Sequence, residues 1–252
     1  MKNFLSTIRL EASLLKRNIL SKFGIYSATM QNHFLLEELL PADKFQRLQN
    51  LVLQNKQVFF RKDSFFRQGT ALDAFDLQTS PLTPLIDELV NEHLLERIRK
   101  STNMPNLVYA PQGDGNQISL LYYGDDGDGI GWHVDGNIYL GQRWAGIFTL
   151  HEQTNESTSK LEIKPHGKTT VFTKESVFNG LILFQGDQIR HRVRSMQKGE
   201  ERLVINLLFT TNPTHTKNPL LKGYQALVNY FFYGKLQTSF KKNLHQQEKK
   251  ND

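Results

Sequence analysis

The chain has 252 residues, 38% of them hydrophobic, and 31 Lys and Arg against 25 Asp and Glu leave a formal net charge of +6. This is enough apolar material for a full core, and β-barrels of this size commonly form one domain. A count of zero cysteines excludes disulfides and thiolate metal sites, no apolar run of about 18 residues is present to span a bilayer, and so modest a charge does not single out nucleic acid or an acidic surface as partner.

In chain order, residues 1–23 set Lys2, Arg9, Lys16, Arg17 and Lys22 against a single Glu11, with apolar residues between. That pattern is an amphipathic helix packing on the core, or else a targeting segment, although it lacks the uninterrupted apolar run of a secretory signal. Residues 41–55 read as a helix with Phe45, Leu48, Leu51 and Val52 on one face. A second helix, reaching to Lys100, is expected to start with Thr83 as cap and Pro84 in the first turn, its stripe formed by Ile86, Leu89, Val90, Leu94 and Ile98. From Leu107 the pattern changes to short β runs over 117–123, 145–150, 160–164, 169–173, 180–184 and 202–209, with Gly, Asn and Asp between them.

The stretch 124–131 is rich in Gly and Asp and reads as a turn. An EF-hand starting at Asp126 would put Ile130 and Asn137 where oxygen ligands are needed, so a calcium loop is not expected. After Pro213, residues 224–233 predict a C-terminal helix, and Lys241 to Lys250 form a basic, poorly buried tail. No internal repeat is visible.

The chemistry concentrates at His133-Val134-Asp135 and at His191, within Arg190-His191-Arg192-Val193. Two imidazoles and one carboxylate are the ligand types of a non-haem Fe(II) facial triad, which leaves three positions open on the metal. The first pair follows the strand 117–123 and its turn, and His191 follows the apolar run 180–184, so each ligand is expected at the rim of a sheet. Arg202 opens the next strand, where it is either a cation for a carboxylate ligand or an exposed arginine paired with Glu200 or Glu201. Tyr122 and Tyr123 are adjacent, and strand alternation sends them to opposite faces. His151 and His166 are expected on the outer surface or in loops.

These residues give the chain its likeness to a known family. The series Tyr123, Gly124, Gly131, His133, Asp135, His191, Val193, Gly199, Arg202 and Val204 resembles the 2-oxoglutarate/Fe(II)-dependent dioxygenases, in their prolyl-hydroxylase-like branch. The resemblance covers residues 107–211. It implies a mainly β fold with flanking helices, a double-stranded β-helix of the jelly-roll or cupin type. The layout expected from it is one domain: 1–105 as helical N-terminal support, 106–212 as catalytic core, 213–240 carrying the C-terminal helix and 241–252 as basic tail.

The resemblance further implies Fe(II) held by His133, Asp135 and His191, with 2-oxoglutarate and O2 as co-substrates. Arg202 would hold the far carboxylate of 2-oxoglutarate through two oxygens, and the Tyr123 hydroxyl would add a donor. The reaction implied is hydroxylation of an unactivated C–H bond in a small molecule, a free amino acid among them, or in a protein side chain, with release of succinate and carbon dioxide. Asp135 favours hydroxylation, since related halogenases carry a small residue there. Trp132, Asn137, Arg143 and Trp144 would line or cover the pocket; the alternative is ordinary packing. Oxidative demethylation of nucleic acid is the runner-up, because the run from Asp128 to Asp135 also looks like that branch. However, that branch carries a second arginine six residues after the first, where this chain has Leu208. A non-catalytic metal-binding or adaptor module is the remaining alternative. A cytoplasmic location is expected.

Overall fold

The computed structural model describes residues 2–22, 31–61, 63–64 and 67–223. The C-terminal helix expected over 224–233 and the basic tail lie outside the described residues. In chain order the elements are α1 (Lys2–Lys22), β1 (His33–Leu36), α2 (Ala42–Gln54), β2 (Arg67–Gln68), β3 (Thr70–Leu72), α3 (Ala74–Gln78), α4 (Pro84–Leu89), α5 (Glu92–Thr102), β4 (Val108–Tyr109), β5 (Ile118–Tyr123) and β6 (Gly129–His133). There follow β7 (Arg143–Gln153), β8 (Thr158–Lys164), β9 (Thr170–Thr173), α6 (Lys174–Val177), β10 (Leu181–Phe184), β11 (Arg190–Val193) and β12 (Glu201–Thr210). No described helix is long and apolar enough to cross a membrane.

The strands form two antiparallel sheets. The larger runs β1-β10-β7-β12-β5-β3, with β4 also on β12, and the smaller runs β2-β6-β11-β8-β9. Together with the flanking helices this is a double-stranded β-helix, the two-sheet closure that leaves few free edges. Alternation along the strands of the larger sheet decides which side chains go where. On β12, Leu203, Ile205, Leu207 and Phe209 point outward with Ile118 and Leu120 of β5, and α2 to α5 cover them with Phe45, Leu48, Val52, Leu77, Leu85, Leu94 and Ile98. The opposite face carries Tyr123, Ala145, Ile182 and Phe184, which meet Leu161, Ile163, Ile189 and Val193 near the smaller sheet. Each fully buried Leu, Ile or Phe contributes roughly 1.5–3 kcal/mol, so both layers hold the larger sheet firmly.

Three expectations need correction. The part read as helical support also supplies strands: β1 pairs with β10, β2 with β6 and β3 with β5. Segments of two to four residues are too short to show a period-2 pattern. The helix expected from Thr83 is two helices, and Thr83 makes no side-chain cap. The chain breaks at Asn91, whose carboxamide accepts from Leu94 N at 3.0 Å and donates to Asp87 O and Glu88 O. Residues 129–131, read as turn, belong to β6.

The N-terminal segment forms the helix α1, which packs Leu14 against Leu140 and Leu221. Its Arg17 donates to Gly141 O at 3.0 Å, and its Glu11 accepts from Lys217 N at 2.7 Å.

Candidate active site

His133 and His191 are direct register partners on β6 and β11. Opposed residues of an antiparallel pair put their side chains on the same face, and the two rings lie 4.0 Å apart between centroids. His133 is the last residue of β6 and His191 lies within β11, so both belong to the ladder of the smaller sheet. The register slips between His191 and Val193, whose partner is Ile130, so β6 spends one extra residue over this stretch. The bulge lets both Ile130 and His133 face the cavity.

Asp135 arrives from the loop after β6. Its backbone N–H donates to Gly186 O at 2.9 Å. One carboxylate oxygen lies 3.9 Å from His133 Nε2 and 3.7 Å from His191 Nε2. Among the described residues this is the one group of three potential metal ligands whose atoms all lie within 4.8 Å of one another. Each imidazole Nδ1 faces a backbone carbonyl, Gly131 O at 2.8 Å and Ile189 O at 3.0 Å. A carbonyl only accepts, so Nδ1 carries the proton and Nε2 presents its lone pair to the metal position.

The other carboxylate oxygen of Asp135 accepts from Arg143 Nε at 3.3 Å. Burial alone would raise this carboxyl, but the Arg143 guanidinium and the two imidazoles overcome it and hold it down to about 2. The ligand is therefore ionised at neutral pH. The loop passes so close that a Cβ on Gly186 would sit 2.2 Å from the same oxygen, so any side chain there must displace the carboxylate.

The same cavity contains Arg202 and Tyr123, which are register partners on β12 and β5. Glu152 of β7 flanks Arg202 on its other side. Arg202 is 1% exposed and its Nε donates to Glu152 at 3.2 Å, so its acidic partner is neither Glu200 nor Glu201. Glu201 faces outward to Lys56 at 2.6 Å and His151 at 2.9 Å, and Glu200 binds Lys160 at 2.8 Å. Arg202 Nη2 and the Tyr123 hydroxyl are both buried without a hydrogen-bond partner. Two orphaned donors in one cavity fit a carboxylate, which only accepts. Tyr122 points the other way, its hydroxyl 3.1 Å from Glu201.

Of the four residues expected to line or cover the pocket, the structure brings in Arg143. Trp132, next to the inward-facing His133, is turned out of the cavity by strand alternation and lies under Lys164 and Arg192, at 4.2 and 4.8 Å. Trp144 points to the opposite face of β7 from Arg143 and Ala145, and packs against Phe34 at 5.9 Å in the helix-covered core. Asn137 is a buried loop brace, donating to Asp187 at 2.8 Å and Gly141 O at 2.9 Å.

The lining also includes Arg67, Asn116, Ser119 and Asn206, which sequence reasoning did not single out. Ser119 and Asn206 face each other across β5 and β12. Their signal was a polar residue at an inward position of an apolar strand; Arg67, on a two-residue strand, gave none. Leu208, where a second arginine was looked for, is buried against Ala110 and Tyr139 outside this lining. His151 is half-buried beside Glu201 and His166 is exposed.

No known sequence family and no curated protein matches this chain. Among solved structures it is similar to a prolyl 4-hydroxylase from Pseudomonas putida, at 14% identity and a TM-score of 0.53, over 77% of this chain and 97% of that one. It is also similar to a prolyl hydroxylase from Trichoplax adhaerens in complex with a peptide of hypoxia inducible factor, at 16% identity and a TM-score of 0.53, over 85% and 95%. A third is the non-haem α-ketoglutarate-dependent epimerase SnoN from nogalamycin biosynthesis, at 11% identity and a TM-score of 0.52, over 79% and 83%. At these identities the likeness is one of fold: the chain has the fold of the 2-oxoglutarate/Fe(II) oxygenases, prolyl hydroxylases among them.

Proposed function

We propose that this chain is an Fe(II)- and 2-oxoglutarate-dependent dioxygenase that hydroxylates an unactivated C–H bond in a small molecule, a free amino acid among the candidates, or in a protein side chain. The observation that carries this reading is a single cavity holding both a His-Asp-His ligand set and a buried, unsatisfied guanidinium and phenol. A metal site alone has no use for the second pair, and a carboxylate site alone has no use for the first.

When bound, Fe(II) and 2-oxoglutarate supply oxygen activation coupled to decarboxylation of the keto acid to succinate. In this reading His133 and His191 hold the metal through Nε2, with both rings locked by their Nδ1–H bonds to carbonyls. Asp135 gives the third bond, and Arg143 fixes which of its oxygens turns toward the metal. Arg202 and Tyr123 orient the far carboxylate, while Leu121, Ile130, Ile147, Leu161, Val193 and Val204 line the space between and keep water from it.

A carboxylate ligand at Asp135 supports hydroxylation over halogenation. The peptide bound by the Trichoplax relative supports peptidyl substrates as one class to test. The epimerase of the same fold makes product analysis necessary. Demethylation of nucleic acid loses support because Leu208 lies outside the cavity lining.

The test is an anaerobic titration of the purified protein with Fe(II) and then 2-oxoglutarate, following the visible charge-transfer band of a chelated keto acid. A band abolished in Asp135→Ala and Arg202→Ala is the expected result, after which amino acids, peptides and oligonucleotides are compared by succinate release and product mass. Bound metal with no band overturns the reading in favour of a metal-binding or adaptor module.

A further inference from the structure

The cavity meets solvent at its triad end. The side chains of Asp135 and His133 are 18% and 11% exposed, whereas Arg202, at the far end, is 1% exposed. A substrate enters where the triad is exposed, so the surface beside the triad helps decide which substrates are held.

That surface is basic. Between Glu162 and Glu175 the sequence holds three lysines and no acid, and between Asp187 and Glu200 three arginines, one lysine and no acid. Arg190 opens β11 one residue before His191, and its register partner is Lys164, the last residue of β8. Both side chains alternate to the outer face, since His191 faces inward. The turn Pro165–Gly167 follows and leads to the exposed Lys168. The His33 ring of β1 is held below its ordinary value by burial and then by the His166 imidazole, which places this turn near β1. Phe184, the register partner of His33, lies 4.7 Å from the His191 ring, so turn and triad share one end of the barrel.

Part of this charge is balanced. Arg192 and Arg194 share Glu162 at 2.8 and 3.0 Å, Arg194 also reaches Glu156, and Lys160 joins Glu156 and Glu200 at 3.0 and 2.8 Å. Three cations there meet three carboxylates. Lys164, Lys168 and Arg190 have no acidic partner among the described residues. Lys164 Nζ lies instead over the Trp132 ring, beside the Arg192 guanidinium, and the indole holds both cations next to His133.

Along β6 and β11 lies a groove of about 290 Å³, lined by Gly127, Gly129 and Gly131 together with Arg192, Arg194 and Ser195. A Cβ at Gly131 would meet nothing within 4 Å, so the groove is open there, and glycines let another backbone approach closely. Uncompensated cations beside an opening attract an anionic partner. Trp132 is engaged by cations rather than offered to a stacked base, which favours a carboxylate-bearing chain over nucleic acid.

We propose that this outer face, with Lys164, Lys168 and Arg190 beside Trp132 and the glycine-lined groove, docks an acidic polypeptide, so that the substrate is peptidyl and carries aspartate or glutamate next to the oxidised residue. This rests on the oxygenase reading and narrows its substrate.

The probes are three pools of fluorescein-labelled peptides of equal length, each with a randomised centre and flanks of Asp and Glu, of Asn and Gln, or of Lys and Arg. Binding to the protein loaded with Fe(II) and 2-oxoglutarate is followed anaerobically by fluorescence anisotropy, and succinate release is measured once air is admitted. The acidic pool is expected to bind about tenfold more tightly than the amide pool, the size of several exposed charge contacts together, with the difference shrinking as salt is raised. Lys164→Glu combined with Arg190→Glu should turn the preference toward the basic pool and leave the charge-transfer band in place.

Equal binding of the acidic and amide pools overturns the inference, and so does an unchanged preference in the double variant. Succinate release from free amino acids but not from the acidic pool overturns it as well, and a single-stranded oligonucleotide that outcompetes the acidic pool replaces the polypeptide with nucleic acid. Should the double variant fail to fold or lose the band, Lys168→Glu in the exposed turn must weaken the acidic pool and not the amide pool; no weakening overturns the inference. A native protein without the band overturns the oxygenase reading, while the anisotropy still decides whether this face docks acidic chains.

Discussion

Single atoms decide the chemistry at this site, and two of them make sharp tests. The Asp135 carboxylate lies so close to Gly186 that one added methyl group must displace it. Gly186→Ala is therefore expected to lower Fe(II) affinity about 10- to 100-fold, as for lost support of a metal ligand, with far-UV circular dichroism unchanged; native affinity in a metal titration would contradict the geometry. The two adjacent tyrosines give a paired prediction. Tyr123→Phe removes a buried donor from the cavity and should weaken 2-oxoglutarate binding about tenfold, the size of a hydrogen bond to a charged group. Tyr122→Phe should leave it untouched, because that hydroxyl serves Glu201 on the other face. Equal effects of the two variants in the same titration would contradict this assignment, and a loss in Tyr122→Phe alone would reverse it.

Elements matter through their register. Without the extra residue in β6, Ile130 and His133 could not both face the cavity. The loop ahead of β12 is held by Glu200, which is buried beside the equally buried Lys160 and accepts the N–H groups of Asn155 and Gln197 at 2.8 Å each. Burial would raise the Glu200 carboxyl, but Lys160 and the two backbone donors hold it below its ordinary value of 4.5. A carboxyl lowered in the folded state contributes stability that is complete above the unfolded value and is lost as pH falls through the folded one. Chemical denaturation from about pH 6 to about pH 3 should thus show falling stability, with a flatter profile in Glu200→Gln. At neutral pH that variant should be less stable by roughly 2 kcal/mol, since it strips a charged partner from Lys160. An unchanged acid profile would remove Glu200 from the account.

At the scale of the whole molecule, the larger sheet is packed on both faces by apolar side chains, so the fold is expected to stand without a bound metal. Chelation is expected to leave the secondary structure intact and lower the unfolding free energy only by the linkage term, about 2.7 kcal/mol at a hundredfold excess of metal over its dissociation constant. Unfolding on chelation, followed by circular dichroism, would identify a structural metal instead. Much of this was legible in the sequence. The apolar alternation of β5, β7, β10 and β12 and the stripe of α2 follow from residue spacing alone, and the order of His133, Asp135, His191 and Arg202 limits the chemistry to a short list, because ligand and guanidinium preferences belong to the residues themselves. The rest depended on contacts between distant segments. The bulge that brings Ile130 and His133 to one face, the face that sends Trp144 into the helix-covered core, Glu152 as the partner of Arg202, and the arrival of Arg67 in the cavity are each set by cross-strand register and burial. Local sequence determines which way a strand alternates; only the packed sheets determine which strand lies opposite, and hence which charges meet.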